Sequence, residues 1–144
     1  KMPKHYGISI KCKKSTISSH IPAEHIQNNT VIYDGITYVG KLFDKIINKN
    51  ESILFNTPKI KRFNRPLEST SIRIGVYSSF KDNPLTIYDC DELGSFSIPM
   101  SKGKQKIMVE FIFGQTILTV YAYETGKNKQ KIEIDYHTRK MRKA

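Results

Sequence analysis

Lys106-Ile107-Met108-Val109-Glu110-Phe111-Ile112-Phe113, followed after Gly114-Gln115-Thr116 by Ile117-Leu118-Thr119-Val120-Tyr121-Ala122-Tyr123, is the stretch that decides the fold. In both runs every second residue forms an apolar set, the period of a strand with one face in a core and not of a helix. Gly114-Gln115 between them is turn chemistry, so the pair reads as two antiparallel neighbours.

The same alternation recurs outward in both directions. Upstream it runs through Tyr6-Gly7-Ile8-Ser9-Ile10-Lys11, Ser71-Ile72-Arg73-Ile74-Gly75-Val76-Tyr77 and Ser95-Phe96-Ser97-Ile98, and downstream through Lys131-Ile132-Glu133-Ile134-Asp135-Tyr136. Asp82-Asn83-Pro84, Gly94, Gly103 and Gly126 mark joints. Many short strands with few helical patterns predict a mainly β domain, an antiparallel β-sandwich in which alternate residues fill the space between two sheets. Two stretches break the rhythm. Lys13 to Asn29 is polar, with scattered Ile17, Ile21 and Ile26, and reads as a long loop in which His20 and His25 are solvated. Gly40 to Asn48 is compatible with a helix or a strand.

The 144 residues suit a single domain able to bury a core without staples. No apolar run approaches the length needed to cross a bilayer, so no membrane partner is expected. Cys12 and Cys90 make neither a disulfide framework nor a zinc knuckle, and they suggest a reducing, cytoplasmic setting. The first residues lack the apolar stretch of a signal peptide, and a chain beginning at Lys1 reads as a piece of something longer. The formal charge of +11 admits anions, acidic proteins or nucleic acid as partners. Basic residues gather in Lys1 to Lys14, in Lys59, Lys61, Arg62 and Arg65, and in a tail over 137–144 that reads as an extended, mobile terminus.

The chain carries no catalytic constellation. No glycine-flanked turn surrounds a nucleophile, no phosphate-cradling glycine loop is present, and the four histidines have no metal-ligand spacing. Asp89, Asp91 and Glu92 read as a turn before a strand, since calcium loops need more oxygen ligands at fixed offsets. The chain is therefore read as a non-enzyme with no metal site.

Leu93-Gly94-Ser95-Phe96-Ser97-Ile98-Pro99, Ile107 to Phe111, Gly114 to Ala122, Thr125-Gly126-Lys127 and Lys131 to Ile134 together resemble the peptide-binding β-sandwich of the 70-kDa heat-shock chaperones. Lys45 to Ile53 is similar to a further segment of that family. Tyr6-Gly7-Ile8, and Asp34-Gly35-Ile36-Thr37-Tyr38-Val39-Gly40-Lys41-Leu42-Phe43-Asp44-Lys45-Ile46, resemble its divergent member-twelve branch. The resemblance implies a sandwich of that type over residues 1–136 with an insertion over about 12–39. It also implies an ATPase domain upstream of this fragment that binds ATP, no cofactor in the fragment itself, and a lid-less end near the last strand.

It further implies that this part of a chaperone binds extended apolar segments of unfolded client polypeptides, with co-chaperones as further partners. Ile8, Leu42, Phe63, Ile72 and Ile74 are the peptide-binding residues carried over from the family pattern. The family's arch over the peptide has no clear counterpart, because the interval from Cys12 to Val39 is long and Pro66 lies near the facing position. Two alternatives stand beside this reading: a basic β-domain that binds nucleic acid, and a docking module whose insertion fills its own cleft.

Overall fold

The structure is a computed structural model, and it describes residues 1–64, 71–101, 106–136 and the backbone of 140–142. Arg65, Pro66, Gly103, His137, Arg139 and Lys143 lie outside the described residues. The strands in chain order are β1 (His5–Lys13), β2 (Thr30–Tyr33), β3 (Ile36–Ile47), β4 (Lys59–Phe63), β5 (Ser71–Ser79), β6 (Asp91–Pro99), β7 (Ile107–Phe113), β8 (Ile117–Glu124), β9 (Gln130–Asp135) and β10 (Lys140–Arg142). They form two five-stranded antiparallel sheets, ordered β2-β3-β1-β5-β6 and β10-β9-β8-β7-β4. The mainly β sandwich expected from the alternation is thus observed.

Strands β7 and β8 form the centre of the second sheet, and their pairing explains why the alternation is so regular there. Val109 pairs with Ala122, Phe111 with Val120 and Phe113 with Leu118, and all six side chains are buried. Antiparallel partners share a face, so one row of cross-strand pairs projects into the inter-sheet space. The first sheet answers with Tyr6, Ile8, Ile46, Ile47, Ile74, Val76, Leu93 and Ile98, which belong to the same apolar cluster. Tyr6 meets the edge of Phe113 with ring centroids 4.9 Å apart, and Phe113 meets Tyr136 at 5.3 Å. Tyr136 directs its hydroxyl at Gly114 O and Gln115 O, pinning the β7–β8 turn.

Close approach within the first sheet depends on Gly7. A Cβ there would lie 1.9 Å from Asp44 O, so no side chain fits where β1 meets β3. Gly40 to Ile47 resolves as strand, because the neighbouring β1 supplies a ladder that a helix could not use. Lys41 sits at φ 55°, and Ile10 pairs with Leu42 while Cys12 pairs with Val39. Lys11 of β1 is therefore opposed by both Gly40 and Lys41 of β3, a bulge that puts Val39 and Leu42 on a common side.

The region read as a long loop is more ordered than expected. It holds a short 3₁₀ turn at Lys14–Thr16 and a six-residue helix α1 (Ala23–Asn28), and β2 follows directly after it. Asp34 and Gly35 adopt φ 50° and 75° and connect β2 to β3, the backbone that a two-residue hairpin turn requires. His25 is 7% exposed rather than solvated, because α1 folds it against β3. The tail also departs from its expected mobility: Lys140–Arg142 pairs with β9 as an added edge strand. The amino-terminal basic stretch is integrated too, with Met2, Lys4, His5 and Tyr6 all buried.

Candidate functional site

The five residues expected to line a peptide slot fall in two places. Ile8 and Ile74 are 4% and 3% exposed and belong to the inter-sheet core, with Phe63 and Ile72 half-buried against the same cluster. Leu42 is also buried, but in a second cluster with Ile21 and Val39. The structure therefore brings four of the five together and separates Leu42 from them.

The second cluster forms where the first sheet has lost a neighbour. Strand β5 pairs with β1 only over His5–Ile8, so the far half of β1 is paired with β3 alone. Ile10, Cys12, Val39 and Leu42 line that far half, and Ile17, Ile21, Ile26 and Leu85 pack onto them. Ile17, Ile21 and Ile26 all come from the insertion.

Polar bonds hold this cover in place. His25 Nε2–H donates to Gly40 O at 2.9 Å, and Asn29 Nδ2 lies 3.4 Å from His25 Nδ1 and donates to His25 O at 2.9 Å. The Tyr88 ring meets His25 edge-on at 5.6 Å. Phe43 N–H donates to Leu85 O at 3.0 Å, which ties the loop before β6 to the same strand.

The cations near the expected cleft are largely engaged within the fold. Lys59 pairs with Glu51 at 2.9 Å and Lys61 with Asp44 at 2.7 Å, while Arg62 is exposed. Asp89 pairs with Lys81 at 2.9 Å, and Tyr77 donates to Glu92 at 3.0 Å. A 3₁₀ turn at Ile87–Asp89 leads into β6, so Asp89 lies in the turn that the sequence suggests, whereas Asp91 and Glu92 already belong to the strand.

Hollows open on the described surface in at least two places. One of about 180 Å³ lies under the β3–β4 connection, among Ile47, Ile53, Leu54, Pro58, Phe111 and Phe113. Another, an open depression of about 590 Å³, lies among Lys13, Lys14, Ser15, Gly35, Ile36 and Thr37.

Neither thiol is activated. Burial pushes the Cys12 thiol up, and burial with the Asp89 and Asp91 charges pushes Cys90 up to about 12, so the nucleophilic thiolate is scarce at neutral pH. Among the described residues no group of three or more His, Cys, Asp or Glu side chains could hold a metal ion. No helix there is long and apolar enough to cross a membrane.

Reasoning from sequence missed the second cluster and the β2–β3 hairpin. Asp34-Gly35, flanked by Val31-Ile32-Tyr33 and Ile36, was the available hairpin signal. Nothing local announces that Ile17, Ile21 and Ile26 share a partner. No family model, no curated protein and no solved structure matches this chain.

Proposed function

We propose that this chain is a polypeptide-binding β-sandwich of the 70-kDa heat-shock chaperone type, with a binding strip occupied by its own insertion. The observation that supports it most is the covering of Ile10, Cys12, Val39 and Leu42 by Ile17, Ile21 and Ile26. An apolar strip beside a strand that lacks a neighbour suits an extended client, whose main chain can bond while one apolar side chain is buried. In this reading Leu42 is the residue that a client touches, while Ile8, Phe63, Ile72 and Ile74 belong to the separate inter-sheet core. Client binding is the contribution of this part, and ATP and its hydrolysis belong to a preceding ATPase domain in the cytoplasm.

Self-occupancy sets the affinity. A client binds only the fraction of molecules whose cover has lifted, so the apparent dissociation constant rises in inverse proportion to that fraction. The test measures fluorescence anisotropy of a labelled leucine-rich heptapeptide with the parent chain and with an Ile17→Ser/Ile21→Ser variant. The variant binds about tenfold tighter if loosening the cover frees the strip, while circular dichroism retains the β signature. Unchanged binding with that signature intact overturns the reading. Should the variant unfold, hydrogen exchange on the parent chain decides: saturating heptapeptide accelerates exchange over 17–26 if it displaces the cover, and no change there overturns the reading.

A further inference from the structure

We infer that the outer edge of β2 is a second docking site, which takes an extended acidic polypeptide segment by strand addition. The site is separate from the covered strip and does not rest on the function proposed above.

The hairpin formed by β2 and the start of β3 presents unusual edge chemistry. Thr30-Val31-Ile32-Tyr33 contains neither a charge nor a proline, the devices that normally blunt an edge strand. All four residues are exposed, with Ile32 at 71%, and Ile36 across the turn is exposed as well. Val31 pairs with Tyr38 and Tyr33 with Ile36, so these four apolar side chains share one face of the hairpin. Strand β1 supports β3 only as far as Tyr38, so the tip of the hairpin, Ile32-Tyr33 against Ile36-Thr37, is two-stranded and is stabilised by a further strand along its edge.

Register shows which main-chain groups are free to receive that strand. Gly40 N–H donates to Asn29 O at 2.9 Å, and the turn at Asp34-Gly35 closes on Tyr33 and Ile36. Bonded and non-bonded pairs alternate along an antiparallel ladder, so Asn29, Val31 and Tyr33 turn their main-chain groups toward β3. Thr30 and Ile32 turn theirs outward.

Charge selects the occupant. Residues 1–43 carry six lysines against the two carboxylates Glu24 and Asp34. Lys13 and Lys14 line the open depression beside Gly35 and Ile36 at the hairpin tip, and together with Lys11 they form no ion pair among the described residues. An acidic strand is attracted to this end of the molecule, whereas a second copy of a chain carrying +11 is repelled. Asp34, at the turn itself, works against the acidic strand, and the lysines outnumber it.

The experiment uses two fluorescein-labelled octapeptides, one alternating Glu and Val and the other Lys and Val, titrated with the chain by anisotropy. The Glu/Val peptide binds, and binds more tightly in dilute buffer than at physiological salt, where screening acts over about 8 Å. Ile32→Pro removes an outward N–H without removing a bond to β3, and it lowers affinity at least about tenfold. Lys13→Glu/Lys14→Glu, which changes side chains at the end of β1 and leaves the β2–β3 ladder untouched, lowers affinity for the acidic peptide and raises it for the basic one. Four results would each overturn the inference: no binding of Glu/Val, equal binding of Lys/Val, full binding by a folded Ile32→Pro variant, or sedimentation showing a dimer that this proline abolishes. None of these readouts involves the leucine-rich peptide or Ile17 and Ile21, so this inference and the proposed function fail separately.

Discussion

Two apolar clusters hold this molecule together, and they are built on different terms. Between the sheets, Val109, Phe111, Leu118, Val120 and Ile134 meet side chains of the opposite sheet, and each is completely out of water. At the far half of β1 and β3, Val39 and Leu42 are covered by Ile17, Ile21 and Ile26 of the inserted segment, which a histidine clasp holds in place. The first cluster closes two flat surfaces whose side chains already point inward by strand geometry. The second has to recruit its cover from a polar stretch of chain, and polar bonds supply part of the ordering.

The contrast is most easily broken at its strong end. Phe111→Ala removes a fully buried ring from the inter-sheet core and lowers the unfolding free energy by about 3–5 kcal/mol in urea titrations. Ile21→Ala acts on the smaller cluster and costs about 2 kcal/mol. Hydrogen exchange sharpens this second case: protection falls over 17–42 while β7 and β8 keep theirs. Uniform loss across both regions would show that the two clusters unfold as one.

His25→Ala leaves Gly40 O without its partner and is expected to cost about 1–2 kcal/mol in the same titration. A proton titration probes the main-core side of the comparison. His5 Nε2–H donates to Asp82 O at 3.1 Å and Nδ1 accepts from Lys49 N–H at 2.9 Å, an arrangement that only the neutral ring can make. Burial, joined by the charges of Lys45 and Lys49, lowers its pKa below 6.5. The unfolded chain thus binds the proton more readily. The contribution of His5 is complete above pH 6.5 and declines as pH falls through that value toward the lowered one. Urea midpoints at pH 7.5 and 5.5 measure it, and His5→Asn flattens the difference. Smallest of all is Lys81→Ala, which breaks an exposed ion pair with Asp89 and changes stability by less than about 1 kcal/mol.

How much of this was legible follows from where the information sits. The alternation at Ile107 to Tyr123 identified strands, their inward faces and a sandwich, because a period of two leaves only one way to bury such a pattern. Lys59 to Phe63 was read as a basic cluster, because Ile60 and Phe63 lie three positions apart with adjacent Lys61 and Arg62 between them, so this edge strand shows no alternation. Of the residues proposed for the site, Ile8, Phe63, Ile72 and Ile74 pack in or against the inter-sheet core, whereas Leu42 could not be placed without knowing that Lys41 adopts a left-handed bulge.

By itself the sequence determined the class of fold, the core parity of the cleanly alternating strands β7, β8 and β9 and the lack of nucleophilic or phosphate-cradling motifs, since these are encoded between residues close together in the chain. Only the tertiary structure decided that the insertion lies over the end of β1 and β3, that His25 is buried and that β2 is left as an open apolar edge. Those outcomes depend on which distant segments meet, and no local period records that.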